Sequence, residues 1–110
     1  RVLLIEQPSA DLLERACREN LKYGSVTFIG HTRIEIDDPS FDSICLGRDA
    51  AEYGHSIYAA LRDADKNNPR VIVVEGISDT GEGRAVMDRL RRAGEDVKLD
   101  DAATRRKGKR

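Results

Sequence analysis

Four short apolar runs punctuate the chain, and between them apolar residues fall at helical spacing. Val2 to Ile5 is uninterrupted, as a strand buried on both faces requires. Ser25 to Ile29 carries Val26, Phe28 and Ile29, and Phe41 to Leu46 carries Phe41, Ile44, Cys45 and Leu46. Val71 to Val74 is the purest strand signal, four β-branched residues in a row. Ser9 is a good helix cap, and the stretch from about Ala10 to Leu21 places Leu13, Ala16 and Cys17 on one stripe. A second helix is predicted from about Ala50 to Asp65, where Tyr53, Ile57, Leu61 and Ala64 form the apolar face. Asp79 and Glu82 have capping-box spacing ahead of a third helix that runs to Ala93 and buries Val86, Met87 and Leu90. Gly94 suits the position after it, and Val97 with Leu99 marks a weak fifth strand.

Strands alternating with helices of this length predict a three-layer α/β sandwich. The expected sheet is doubly wound, mostly parallel and five-stranded, with flavodoxin-like order. It occupies a domain of residues 1–102, and residues 103–110 form a basic tail or linker. Residues 30–40 fit this scheme least well. A parallel connection normally needs a helix or about a dozen residues. Either a helix has shrunk to a turn there, or Thr32 to Ile36 forms an extra strand.

Composition narrows the possibilities further. With 110 residues and 39% hydrophobic positions the chain is one small domain with a real core. Aromatics are 5% with no Trp, which disfavours an aromatic nucleic-acid platform. No apolar run has the length of a membrane span, so no membrane partner is expected. Two cysteines, Cys17 and Cys45, are too few for a disulfide scaffold and read as small core residues. A cytoplasmic location is the default. The net charge of −1 conceals a split: Arg105, Arg106, Lys107, Lys109 and Arg110 are basic, so residues 1–104 carry −6. An acidic body repels phosphate, which leaves the tail as the possible nucleic-acid contact.

The chain resembles the receiver domain of bacterial response regulators. The resemblance spans roughly residues 2–101. It is carried by the element order, the acidic residue after the first strand, the phrase Phe41-Asp42-Ser43-Ile44-Cys45-Leu46, and Ala93-Gly94 ahead of the last strand. It implies aspartyl phosphorylation with bound magnesium, and the matching positions are altered. The acidic pair falls on Glu6 and Gln7, the phosphoacceptor on Gly47, the hydroxyl residue on Glu75, and the lysine near Asp101. Gly47 cannot accept a phosphoryl group, and Glu75 adds like-charge repulsion. The resemblance therefore implies a degenerate pseudo-receiver.

Open α/β sheets place their sites at the C-terminal ends of the strands. Here that rim holds Glu6, Gln7, Gly47, Arg48, Asp49, Glu75 and Gly76. Glu6, Asp49 and Glu75 could converge on a metal ion, with Mg²⁺ the candidate cofactor, or Arg48 could pair with Glu6 or Glu75. Gly76, Gly81 and Gly83 could cradle an anion, although the spacing is not that of a phosphate-binding loop. Tyr53 and Tyr58 could serve a partner surface. His31 and His55 read as ordinary surface or helix residues. The reading that follows is a non-catalytic regulatory or protein-interaction domain of a larger signalling or transcription-related protein, acting through a protein partner or self-association. Two alternatives remain open: a small metal-dependent phosphoryl-transfer enzyme using the acidic strand ends, and nucleic-acid contact through the tail.

Overall fold

The computed structural model describes residues 2–47, 49–77 and 81–93. In chain order these form β1 (Val2–Ile5), α1 (Ala10–Leu21), β2 (Val26–Gly30), β3 (Phe41–Cys45), α2 (Ala50–Lys66), β4 (Val71–Glu75) and α3 (Glu82–Ala93). The four strands make one parallel sheet in the order β1-β4-β2-β3. Among the described residues no helix is long and apolar enough to cross a membrane.

Burial explains this order. Every residue of β2 and β4 is buried, whereas β3 has exposed positions at Asp42, Ser43 and Cys45. A strand that is apolar on both faces needs cover on both, so β4 takes an inner position between β1 and β2. The polar alternation of β3 sends it to the edge. This overturns the flavodoxin-like expectation, in which the first strand is an inner one; here β1 is at an edge of the described sheet. The sheet has four strands among the described residues; the fifth strand expected at Val97 and Leu99 lies outside them, as do Gly94 and Asp79.

Two cores sandwich the sheet. On one face Leu13 and Cys17 of α1 pack with Leu3, Ile5, Val26, Phe28, Val71 and Val73. On the other, Tyr53, Ile57, Ala60 and Ala64 of α2 and Met87 and Leu90 of α3 pack with Leu4, Ile29, Ile72 and Val74. Each fully buried Leu or Ile in these layers stabilises the fold by about 1.5–3 kcal/mol. Helix ends follow local chemistry. The Ser9 side chain accepts from the Leu12 amide, and the Asp49 side chain accepts from the Ala51 amide. The two helices on the second face approach closely at Gly54, where a Cβ would lie 2.6 Å from Val86 Cγ2.

The β2–β3 connection is neither a shortened helix nor an extra strand. Residues 31–40 run as irregular chain and dip once into the core at Ile34, which is 6% exposed. The segment closes where the Phe41 amide donates to the Asp38 carbonyl at 3.0 Å and the Ser40 amide to the Asp38 carboxylate at 2.8 Å. One buried isoleucine replaces the helix that would otherwise cover this part of the sheet.

Candidate functional site

After β1 the chain turns to the α1 face of the sheet, and after β4 it turns to the opposite face. The ends of these neighbouring strands therefore flank a topological switch point, where open α/β sheets form their crevices. The backbones are drawn tightly together there. The Gly76 amide donates to the Ile5 carbonyl at 2.8 Å, and a Cβ on Gly76 would lie 2.7 Å from that oxygen. Gly76 thus serves strand packing. The anion cradle expected of Gly76, Gly81 and Gly83 runs through residues 78–80, which lie outside the described residues.

The most organised part of the rim is Glu75, which is 3% exposed. A buried carboxylate is tolerated only when hydrogen bonds replace its hydration. Its Oε1 accepts the His31 amide at 3.0 Å and the Thr32 amide at 2.9 Å. Its Oε2 accepts the Thr32 hydroxyl at 2.7 Å, and His31 Nε2 lies 3.4 Å from the same oxygen. The Tyr53 hydroxyl donates to the Glu75 backbone carbonyl. The His31 and Tyr53 rings meet edge-on, 6.0 Å between centroids at 73°. Gly30 leaves the carboxylate its space, since a Cβ there would lie 2.7 Å from both Glu75 Cβ and Phe28 Cζ. Burial, with a further push from the Glu75 charge, raises the Tyr53 phenol above its ordinary pKa, so it acts as a neutral donor. Among the described residues, His31 Nδ1 is buried without a hydrogen-bond partner, as is the Tyr58 hydroxyl.

The other expected ligands are engaged elsewhere. Glu6 Oε1 lies 2.9 Å from Arg91 Nη2 and 3.0 Å from Arg91 Nε, which ties the end of β1 to α3. Asp49 is the cap of α2. Glu6, Asp49 and Glu75 therefore have three separate sets of partners. Among the described residues no group of three or more His, Cys, Asp or Glu side chains is placed to hold a metal ion. Gln7 and Gly47 are exposed at the rim. Arg48, Asp101 and the tail residues Arg105, Arg106, Lys107, Lys109 and Arg110 lie outside the described residues. Tyr53 is fully buried and presents no surface to a partner. Cys17 is a core residue whose thiol is pushed up to about 12 by burial, with a smaller contribution from Glu14. Cys45 is exposed on the edge strand, not buried as the run Ile44-Cys45-Leu46 suggests.

His31 and Thr32 are the functional-rim residues that pattern reasoning missed. Their signal was positional: they follow a buried strand at its C-terminal end, the same criterion that picked out Glu6 and Glu75. The ambiguity of residues 30–40 hid it.

Known proteins with this fold carry a different identity from a receiver. The family model for the C-terminal domain of threonylcarbamoyl-AMP synthase matches residues 1–94. The threonylcarbamoyl-AMP synthase of Schizosaccharomyces pombe is 38% identical over 63 residues, which are 52% of this chain and 15% of that protein. The threonylcarbamoyl-AMP synthase of Pyrococcus abyssi is 42% identical over 48 residues, 44% of this chain and 14% of that protein. The structure of P. abyssi Sua5 complexed with L-threonine superposes with a TM-score of 0.76 at 28% identity, covering 90% of this chain and 30% of that one. The C-terminal Sua5 domain from Pyrococcus horikoshii gives a TM-score of 0.66 at 26% identity, covering 90% of this chain and 96% of that one.

These matches overturn the receiver resemblance and the signalling role built on it. The carrying-over of a phosphorylation pocket onto Glu6, Gln7, Gly47, Glu75 and Asp101 rested on that resemblance alone and loses its ground with it. The element order of a receiver is shared by many α/β sheets, whereas the β1-β4-β2-β3 strand order is not that of a receiver. The expectation of a non-catalytic regulatory domain falls with it, because the matched proteins are named as synthases.

Proposed function

The chain belongs to the family of threonylcarbamoyl-AMP synthase C-terminal domains, and from that premise we propose that it works as the C-terminal part of an enzyme forming threonylcarbamoyl-AMP. The observation that carries the reading is the family match over residues 1–94. Agreement in fold with P. abyssi Sua5, whose crystals held L-threonine, supports it and suggests L-threonine as a substrate. The chain spans only 15% and 14% of the two synthases it matches, so the activity belongs to the larger protein.

The product's name defines the chemistry. N-carboxylated threonine attacks the α-phosphorus of ATP through its carbamate oxygen. A new P–O bond joins it to AMP, the α–β phosphoanhydride breaks, and pyrophosphate leaves. This nucleotidyl transfer lies closer to the phosphoryl-transfer alternative than to a regulatory module. Nucleotide triphosphates are handled with Mg²⁺. The described carboxylates do not fit that ion: Glu75 is saturated by donors, Glu6 is held by Arg91, and Asp49 caps a helix. In this proposal the nucleotide and its metal belong to the larger protein. The domain contributes a rigid rim, built around Glu75, to that assembly. A cytoplasmic setting is consistent with both cysteines being free thiols.

The test is an assay of the full-length protein with ATP, bicarbonate and L-threonine, following pyrophosphate release and the adenylate by mass spectrometry. Threonine-dependent adenylate is expected, and removal of residues 1–94 of this domain is expected to reduce it at least several-fold. Absence of threonine-dependent adenylate from an intact, folded protein defeats the reading.

A further inference from the structure

The β2–β3 connection is clamped at its two ends. At the rim, Glu75 accepts the His31 and Thr32 amides and the Thr32 hydroxyl. At the other end, the Asp38 carbonyl and carboxylate accept the Phe41 and Ser40 amides, and the Ser40 carbonyl accepts the Val26 amide of β2. Residues 33–37 lie between these clamps. Among the described residues no hydrogen bond joins them to another element of the fold. Their own bonds are local: Arg33 Nε donates to Glu35 at 2.6 Å, and the Ile36 carbonyl accepts the Asp38 amide at 3.0 Å. Arg33, Glu35 and Asp37 are exposed, and Ile36 is half-buried. Of the five, Ile34 alone is buried, in one cluster with Val26 and Phe28.

Lifting residues 33–37 therefore breaks no hydrogen bond to the sheet and re-exposes one isoleucine and part of another. Burial of one isoleucine biases such an equilibrium by about 10- to 150-fold. Unfolding of a whole domain is disfavoured by about a thousandfold or more. Opening at the rim clamp is less favourable than lifting the segment, because it orphans two amides and a hydroxyl in a buried place. Chain length limits the movement. The five residues reach at most about 17 Å, and they run back along β3, whose five residues take up about 16 Å. The segment can lift, but it has no slack to unravel.

We propose that residues 33–37 form a strap that opens as a unit on the α1 side of the sheet, hinged at Thr32 and Asp38, with Ile34 as its latch. Opening bares the margin of the apolar cluster around Val26, Phe28 and Phe41 and leaves the Glu75 clamp shut. The device depends on the two clamps and the latch, and not on the reaction assigned to the larger enzyme.

Thiol labelling of the full-length protein carrying Ile34→Cys tests the inference. N-ethylmaleimide is added below the unfolding transition, and each site is read by mass spectrometry. Cys17, fully buried in the same cluster, reports opening of the core within the same molecule. The introduced thiol is expected to react about tenfold or more faster than Cys17. Its rate is expected to change little in sub-denaturing urea, because little surface is uncovered, while that of Cys17 rises steeply. The His31 and Thr32 amides are expected to exchange as slowly as in the unsubstituted protein. Equal rates and equal urea dependence at the two thiols overturn the proposal. A fast Cys17 in Ile34→Cys also overturns it, because Ile34 then holds the whole core and not a strap. Loss of His31 and Thr32 protection overturns it too, because the rim clamp then opens with the segment.

Discussion

Glu6 and Glu75 close neighbouring strands at the same rim, Glu75 opposite Ile5 in the ladder and Glu6 one residue beyond. Their surroundings differ completely. Glu75 is buried and accepts two amides and a hydroxyl from the start of the β2–β3 connection. Glu6 is half-buried and meets one arginine of α3. The comparison teaches what a carboxylate at a strand end can do. Out of water it must be fully partnered, so it dictates the path of the chain around it. At the surface it adds a pin whose energy water and salt dilute.

The largest effect is expected from Glu75→Leu. It strands the Thr32 hydroxyl and two amides in a buried place, and each orphaned group costs about 1–3 kcal/mol. A loss of about 3 kcal/mol or more in urea unfolding is the expected outcome. A change below 1 kcal/mol would erase the distinction between the two carboxylates. Gly30→Ala sharpens the same point, because its Cβ enters the space of Glu75 and Phe28. Overpacking there is expected to cost about 1–3 kcal/mol, read as a lowered Tm.

The elements themselves were legible in the sequence. Four β-branched residues at Val71–Val74, the cap at Ser9 and the stripe through Tyr53 and Ile57 each state their structure locally. The strand order was not legible by analogy, although its cause was present: β4 is apolar on both faces and β3 is not. The Glu75 cluster lay out of reach for another reason. Its partners His31 and Thr32 stand 44 and 43 residues away, and no periodicity links positions so distant. Nor does composition distinguish a carboxylate that binds metal from one that binds amides; that depends on whether donors or other carboxylates surround it.

Tyr53→Phe keeps the ring and removes one buried hydroxyl, so about 1 kcal/mol is expected. It also carries a pH signature. Tyr53 and Cys17 both hold their protons more tightly in the folded protein than their ordinary 10.0 and 9.0. Above those values the unfolded chain binds fewer protons than the native state, so stability falls as pH rises. The contribution is intact below about pH 9 and declines through pH 9–12 in denaturation curves. Tyr53→Phe is expected to make the decline above pH 10 shallower, and an unchanged slope would show that the phenol is not held in this way.

Glu6→Gln is expected to have the smallest effect, about 0.5 kcal/mol at low salt and less at 1 M salt, by urea unfolding. A loss as large as that of Glu75→Leu would place the two carboxylates in one class.

The central claim, that Glu75 serves as the acceptor organising the rim, is tested most directly by residue-resolved amide exchange at His31 and Thr32. The account predicts that both amides are protected to the same degree as the inner strand β4, and that Glu75→Leu releases them while β4 amides follow only the global loss of stability. Exchange of both amides in the wild type at the rate of an exposed loop would contradict it.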